Sequence, residues 1–102
     1  MEKTVRLGLI GFGNVGQGFA QILKESHDDY VKKYGIDLVV TAVSDALKGS
    51  VYHPDGLDAG MLLDKVARDG NLNGLSMEKP GWDGLTMIRE SNADVIVEMS
   101  YT

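Results

Sequence analysis

The sequence predicts an α/β fold built on a three-stranded parallel sheet. Three short runs rich in apolar and β-branched residues, 4–10, 37–45 and 94–99, alternate with segments whose apolar residues recur at helical spacing. The second run stays apolar instead of alternating with polar residues, which is typical of a strand covered on both faces. Strands that alternate with helices in this way indicate a parallel sheet with helices packed against it.

The first predicted strand, 4–10, stops at Gly11, and a long helix is expected from Asn14. Two lysines followed by Gly35 predict where this helix ends, because cations and glycine favour a helix C-terminus. The helix then has about 20 residues and a length of ~30 Å. Its predicted apolar face consists of Val15, Phe19, Ile22, Leu23, Ser26 and Tyr30.

The second predicted strand, 37–45, leads into a region with two turn signals, which predicts a loop over 46–57. Asp58 follows this loop and is expected to cap a helix that extends to about residue 69. Gly70 is the predicted stop signal of that helix, since glycine accepts the left-handed conformation found just after helices.

The last third of the chain is expected to hold one more helix and one more strand. Asp83 is a candidate cap for a short helix that buries Leu85 and Ile88, and the third strand is predicted over 94–99. The segment 71–82 is expected to be irregular. Trp82, its last residue, is interpreted as an anchor for the following helix in preference to a ligand platform.

A glycine motif lies between the first predicted strand and the first predicted helix. In this position, G-x-G-x-x-G is the fingerprint of a Rossmann-type dinucleotide-binding fold, of which this chain is expected to be the first half. The first glycine permits a tight turn, the second leaves room for a pyrophosphate, and the third lets the helix pack on the strand. Amides at the helix start then bind the phosphates. The motif consists of Gly11, Phe12, Gly13, Asn14, Val15 and Gly16.

Two residues near the end of the second strand are candidates for choosing between NAD and NADP. Asp45 is placed to accept hydrogen bonds from the adenosine ribose hydroxyls and to repel a 2′-phosphate, which favours NAD. Lys48 is placed to pair with a 2′-phosphate, which favours NADP. Each residue also has an alternative interpretation without a ligand: Asp45 as the start of an Asx turn, and Lys48 as a solvated surface lysine.

Composition excludes several other functions. Fifteen acidic residues against ten basic ones give a net charge of −5, which argues against nucleic acid as a partner. The chain has no cysteine and no apolar run long enough for a membrane span. Its first residues show neither the apolar stretch nor the cleavage site of a signal peptide, so none is expected. The acidic residues next to His27 follow it directly on a helix and point in different directions, so no metal site is predicted. These features predict a soluble, cytoplasmic protein.

Taken together, these segments resemble the N-terminal part of homoserine dehydrogenase, and the short archaeal-type enzymes in particular. The resemblance rests on the glycine motif, the charged helix end His-Asp-Asp-Tyr-Val-Lys-Lys-Tyr-Gly, the strand end Val-Ser-Asp, the loop 49–58 and the strand 93–98. It implies NAD(P)-dependent interconversion of homoserine and aspartate semialdehyde, in threonine and methionine biosynthesis. It also implies that residues 12–15 line the pyrophosphate and that Ser100 and Tyr101 lie along the nicotinamide half.

Enzymes of that family continue well beyond the length of this chain, and the further part carries the substrate-binding and dimerisation residues. Residues 1–102 are therefore expected to be one NAD(P)-binding domain, the N-terminal part of a longer enzyme. No catalytic residue is assigned to the chain, which is expected to be inactive alone. A small amino-acid substrate is expected only for the full-length protein.

Two alternatives remain open at this point. The nucleotide domain of glutamate dehydrogenase shares the Gly-Phe-Gly-Asn-Val-Gly turn, although its connection to the second strand is usually shorter. A non-catalytic nucleotide-binding module is the other alternative, because the chain carries no substrate domain of its own.

Self-association is expected from the predicted strand order. If the three strands are ordered 3-2-1, the first strand forms an edge with one row of unpaired backbone groups. Such an edge favours pairing with a second copy, so a homo-oligomer joined through first strands is predicted.

Overall fold

A computed structural model describes residues 3–99 of the chain. All three predicted strands and all three predicted helices are present, close to their expected bounds. One further strand, β3, lies within the region predicted to be a loop. The elements in chain order are β1 Lys3–Ile10, α1 Asn14–Tyr34, β2 Ile36–Asp45, β3 Gly49–Tyr52, α2 Ala59–Asp69, α3 Gly84–Glu90 and β4 Val95–Glu98.

The sheet has four strands in the order β3-β2-β1-β4 and is parallel except at one edge. β1 pairs in parallel with both β2 and β4, while β3 runs antiparallel to β2. The expected loop over 46–57 was therefore wrong in its first half, which forms a hairpin with β2. The first turn signal belongs to the tight turn before β3, in which Gly49 has φ 101°. The second forms a separate turn after β3, in which the Gly56 amide donates to His53 O at 3.1 Å.

The position of β1 corrects the expectation that it forms an edge. β1 pairs with β2 along its whole length and with β4 over its last four residues, so it lies inside the sheet. The reason is that β3 occupies the outer side of β2, where the next parallel strand would otherwise pair. The chain therefore returns to the other side of β1, and the edges among residues 3–99 are β3 and β4.

Helices cover both faces of the sheet. Leu7 and Leu9 of β1 belong to a buried cluster that also contains Ala20 of α1 and Leu62 of α2. Gly8, which points to the opposite face, leaves no room for a side chain, because an added β-carbon would lie 3.1 Å from Met87 Cε of α3. α1 and α2 therefore pack on one face and α3 on the other.

The predicted apolar face of α1 is wrong at three positions. Val15 is 69% exposed, and Ile22 and Tyr30 are also exposed, whereas the fully buried residues of this helix are Gly16 and Ala20. Helices approach a sheet most closely where their side chains are small. The two small residues therefore face the sheet, and this rotation turns Val15 and Ile22 toward solvent.

The short helix α3 shows the same kind of difference. Leu85 is 61% exposed and Ile88 is also exposed, although both were expected to be buried. Met87 is fully buried instead, against the Gly8 position of β1. A helix of seven residues has too few turns for its apolar spacing to define one face, so tertiary contacts set its rotation.

The predicted helix ends are confirmed by their hydrogen bonds. Asp58 accepts a hydrogen bond from Met61 N at 3.2 Å, and Asp83 accepts one from Thr86 N at 2.8 Å. Glycines in the left-handed conformation close α1 and α2. Within residues 3–99, none of the helices is both long and apolar enough to cross a membrane.

Candidate functional site

An open cleft of about 1210 Å³ lies beyond the carboxyl ends of β1 and β2. From β1 the chain moves to β2 on one side, and later to β4 on the other side, so the strand order reverses at β1. Open α/β sheets bind ligands at such a reversal, outside the carboxyl ends of the strands. The cleft is bordered by the glycine turn, the β2–β3 turn, residues 78–84 and Met99.

The glycine turn joins β1 to α1 with very little space between them. Gly11 has φ 97°, a left-handed conformation that a β-carbon would strain, and its amide donates to Ser44 O of β2 at 2.8 Å. A β-carbon at Gly16 would lie 2.5 Å from Gly11 O. The first and third glycines therefore have the structural roles that the sequence predicted for them.

Gly13 differs from both, because the space beside it is open. A β-carbon added there would meet no atom within 4 Å, and the residue borders the cleft. Gly13 is also the N-cap of α1, and no side chain caps this helix end. The first backbone amides of a helix have no carbonyl acceptor within that helix. Asn14 and Val15, which carry these amides in α1, border the cleft.

This arrangement fits the pyrophosphate of a dinucleotide. The first turn of α1 contains no acidic residue that would neutralise the positive end of its dipole. Uncapped amides, a positive helix end and a surface without side chains are the features by which a helix N-terminus binds phosphate. A side chain at Gly13 would project into the open space of the cleft.

Phe12 is not placed at the cleft. Its side chain is fully buried in the core, its amide donates to Asp45 Oδ2 at 2.7 Å, and its carbonyl accepts from Gln17 Nε2 at 3.0 Å. Phe12 therefore fixes the turn from the inside. Of the six motif residues, Gly11, Gly13, Asn14 and Val15 border the cleft, while Phe12 and Gly16 support it.

Asp45 connects the glycine turn to the β2–β3 turn. Its Oδ2 accepts from Phe12 N, and its Oδ1 accepts from Leu47 N at 2.9 Å and Lys48 N at 2.8 Å. The Asx turn considered from the sequence is therefore present. A carboxylate offers about four acceptor directions, so one remains for a ligand hydroxyl.

The same contacts set the charge of Asp45. Burial raises the pKa of this carboxyl, but the amides of Phe12, Lys48 and Leu47, helped by the Lys48 charge, lower it by more. The pKa of Asp45 therefore lies below its ordinary value, and the group is an anion at neutral pH. Lys48 borders the cleft next to this anion.

The part of the cleft that Trp82 forms was not predicted. The Trp82 carbonyl accepts hydrogen bonds from Ser50 Oγ at 2.6 Å and Ser44 Oγ at 3.2 Å. The Trp82 indole stacks on Tyr52 of β3, with ring centroids 5.5 Å apart. Trp82 is thus anchored to β3 and borders the cleft. The Pro-Gly turn before it was the available sequence signal, but β3 was needed to show what the ring packs against.

Ser100 and Tyr101 lie outside the described residues. Met99, just before them, borders the cleft, and its amide donates to Ile10 O at 2.7 Å. Among residues 3–99, no three side chains of the metal-binding types come together as a possible metal site.

Two curated homoserine dehydrogenases are similar to the chain in sequence. The NAD(+)-dependent homoserine dehydrogenase of Pseudomonas canavaninivorans is 34% identical over 101 residues, which are 95% of this chain and 28% of that protein. The homoserine dehydrogenase of Methanocaldococcus jannaschii is 29% identical over 92 residues, 90% of this chain and 27% of that protein. The chain therefore spans little more than a quarter of these relatives. No protein-family model matches it.

Solved structures show the same relation at the level of the fold. A hyperthermophilic archaeal homoserine dehydrogenase mutant in complex with NADPH superposes with a TM-score of 0.80 at 20% identity, over 96% of this chain and 29% of that one. A hetero-hexameric glutamate dehydrogenase from Thermus thermophilus gives a TM-score of 0.54 at 23% identity, over 94% of this chain and 24% of that one. Both share the fold, and the homoserine dehydrogenase shares more of its geometry.

The glycine turn, the strand order and nearly the whole length of the sequence thus lead to one conclusion: this α/β chain has the fold of the first half of a Rossmann-type domain and resembles homoserine dehydrogenase, over little more than a quarter of that enzyme.

Proposed function

We propose that the chain binds NAD or NADP in the cleft, as the nucleotide-binding part of a homoserine dehydrogenase. The observation that carries this proposal is the open space beside Gly13, which faces the uncapped N-terminus of α1. The pyrophosphate would lie there, held by backbone amides of Asn14 and Val15. The bound NADPH of the archaeal homoserine dehydrogenase with the same fold supports the choice of ligand.

The two halves of the dinucleotide would extend in opposite directions from the pyrophosphate. Asp45 would accept a hydrogen bond from the adenosine ribose with its remaining acceptor direction, and Lys48 would pair with a 2′-phosphate in NADP. The nicotinamide half would extend toward the end of β4, along Met99, Ser100 and Tyr101.

Titration calorimetry tests the binding directly. We expect NAD, NADP and ADP-ribose each to bind saturably, with one ligand per chain, since all three contain the pyrophosphate. Inorganic sulfate at equal ionic strength is the control for unspecific anion binding. No saturable heat with any of the three ligands would contradict the proposal.

Catalysis is proposed only for a longer protein. A nicotinamide cofactor supplies the hydride acceptor or donor, and the residues of this chain would bind and orient it. The substrate carboxylate and proton-transfer groups would come from the part that relatives have in addition. Residues 1–102 would then be one domain of an enzyme that interconverts homoserine and aspartate semialdehyde, in the cytoplasm, for threonine and methionine synthesis.

An activity assay distinguishes this proposal from the two alternatives, a glutamate dehydrogenase domain and a non-catalytic nucleotide-binding module. We expect the chain alone to bind NAD without oxidising homoserine, and a protein that also contains the remaining part to oxidise it. Oxidation by the chain alone would contradict the assignment of the substrate groups to the other part. A longer protein that binds NAD but oxidises neither homoserine nor glutamate would favour the non-catalytic module.

We also propose that the chain forms homo-oligomers, although not through β1. With β1 inside the sheet, the parallel edge available for pairing among the described residues is β4, whose first residue, Val95, is 46% exposed. Pairing of β4 strands across a two-fold axis would continue the sheet into a second copy.

A further inference from the structure

Trp82 is held in place by hydrogen bonds of its backbone and by a ring contact. Its carbonyl accepts from Ser44 and Ser50, two serines that are at least 95% buried, and its amide donates to Lys79 O at 3.2 Å. Tyr52 covers the indole from the side of β3, at an angle of 30° between the ring planes. The orientation of the indole is therefore fixed by the fold.

The indole lies at the β2 side of the cleft. Ser44, which donates to the Trp82 carbonyl, directly precedes Asp45, whose carboxylate accepts from the glycine turn. Met99 and β4 lie at the other side, beyond β1. A dinucleotide whose pyrophosphate lies at Gly13 turns its adenosine half toward the end of β2. Its base, one sugar beyond the phosphates, would then lie on the side of the cleft that Trp82 borders.

The surface around Trp82 has the chemistry that such a base requires. A half-buried indole borders the cleft, and aromatic rings of this kind bind bases by stacking. The Lys79 ammonium lies 5.7 Å from the indole centroid and also borders the cleft. The aliphatic part of the Lys79 side chain is flexible. The ammonium can therefore move away from the indole when a base stacks there, and it can still neutralise a nearby phosphate.

We infer that the Trp82 indole, backed by Tyr52, is the surface on which the purine base of the dinucleotide stacks. This inference rests on the proposed function, because it assigns a base-binding surface to the same cleft. It also changes the interpretation of Trp82 from a helix anchor to a positioning residue for the cofactor.

Fluorescence excited at the red edge, where tryptophan absorbs and tyrosine does not, reports on this surface alone, because Trp82 is the only tryptophan of the chain. We expect ADP-ribose to change the Trp82 emission saturably, at the concentrations at which calorimetry shows binding. Nicotinamide mononucleotide, which has no purine, should leave the emission unchanged. Equal changes with both probes would overturn the inference.

Substitutions provide the second measurement. We expect Trp82→Leu to weaken ADP-ribose and NAD binding by about tenfold, whereas Trp82→Phe, which keeps a ring, retains most of the affinity. Tyr34→Leu, at an exposed aromatic residue at the end of α1, is the matched control and should change nothing. Circular dichroism shows whether each variant is folded.

The outcomes separate the inference from the proposed function. Wild-type affinity in a folded Trp82→Leu variant would overturn the inference and leave dinucleotide binding intact. If the wild-type chain binds no dinucleotide at all, the proposed function fails and the inference with it. If Trp82→Leu does not fold, the comparison of the two probes on the wild-type chain decides.

Discussion

At the scale of single residues, the glycines of the motif have different roles, which the sequence alone does not distinguish. Gly16 is required by the fold, since a β-carbon there would lie 2.5 Å from a carbonyl oxygen of the turn. Gly13 has open space around it and φ −79°, which any residue adopts. Gly13 is therefore the motif glycine that borders the cleft without being required by the fold.

Gly13→Val is therefore expected to separate binding from folding. The valine side chain would fill the space proposed for the pyrophosphate, so NAD affinity should fall by about tenfold or more, which corresponds to ~1.4 kcal/mol. The thermal unfolding midpoint should change little, because no atom is displaced. Calorimetry and thermal unfolding of the same preparation measure the two effects.

Gly16→Ala is the matched control for this prediction. It should lower the unfolding midpoint strongly, because α1 would have to move away from the turn. If Gly13→Val binds NAD as tightly as the wild type, the glycine turn is purely structural.

Asp45 has two roles: it accepts hydrogen bonds that hold two turns together, and it is the residue proposed to select between NAD and NADP. We expect Asp45→Ala to shift the preference between NAD and NADP toward NADP, because an anion that repels a 2′-phosphate is removed. The measurement is the ratio of the two dissociation constants. This ratio does not depend on general damage to the cleft, which affects both ligands.

Asp45→Asn helps to interpret that experiment. Asparagine keeps one acceptor oxygen for the amides of Leu47 and Lys48, so the Asx turn should survive while the charge and the acceptor for the Phe12 amide are lost. We expect the same shift in the ratio with a smaller loss of stability than in Asp45→Ala. An unchanged ratio in both variants would assign the selection to Lys48 or to residues outside 3–99.

At the scale of elements, α1 and β2 are joined near the start of β2 by a titratable contact. His27 Nε2 on α1 lies 2.6 Å from Asp37 Oδ1 on β2, and His27 Nδ1 lies 3.1 Å from Asp28 Oδ1. The hydrogen bond to Asp37, and secondly that to Asp28, raise the pKa of His27 above its ordinary value, against a small opposing effect of burial.

This raised pKa predicts how stability depends on pH. The folded state holds the His27 proton more tightly than the unfolded state does. The contribution is therefore fully present below about pH 6.5, the unfolded value, and is lost as the pH rises through the folded pKa. It should stay below about 1 kcal/mol, because the pair is exposed.

Unfolding of the wild type and of His27→Gln, measured across this pH range, provides the test. The difference in unfolding free energy between them should decrease as the pH rises. Asp37→Asn should reduce the dependence in the same way. A difference that is constant with pH would show that the contact does not titrate.

The helix α3 has one fully buried side chain, that of Met87. Met87→Ala should lower the free energy of unfolding by about 2–5 kcal/mol, because it removes a fully buried side chain from between the helix and β1. Leu85→Ala, at an exposed position of the same helix, should cost about 0.5 kcal/mol or less. Urea unfolding compares the two, and equal losses would contradict the observed rotation of α3.

At the scale of the whole molecule, the cleft is assembled from parts that are distant in the sequence. Residues near 11–15, 44–50, 79–84 and 99 meet at one end of the sheet. β1 lies at its centre and β4 at its parallel edge, so the site and the proposed interface occupy different parts of the sheet.

A charge on the β4 edge tests the proposed self-association. Val95→Lys should shift the assembly toward monomer, because a lysine on an edge strand opposes pairing with a second copy. Sedimentation velocity over a range of concentrations is the measurement. Leu47→Lys, at an exposed apolar residue of the β2–β3 turn, is the control. A wild-type chain that is monomeric throughout the range would contradict the proposal.

The sequence by itself determined the features that depend on neighbouring residues. The glycine turn, the caps Asp58 and Asp83 and the left-handed ends of α1 and α2 are all signals read within a few residues. The order of the predicted strands and helices followed from such signals, and so did the start of the candidate site at residues 11–16. These features are local because each satisfies backbone groups of its own segment.

Only the tertiary structure decided what lies next to what. It placed β3 on the outer side of β2, so that β1 lies inside the sheet. It also buried Gly16 instead of the larger Val15, and Met87 instead of Leu85 and Ile88. It also brought Trp82 to the cleft, against Tyr52. Periodicity cannot predict these outcomes, because they depend on how closely surfaces from distant segments can approach one another.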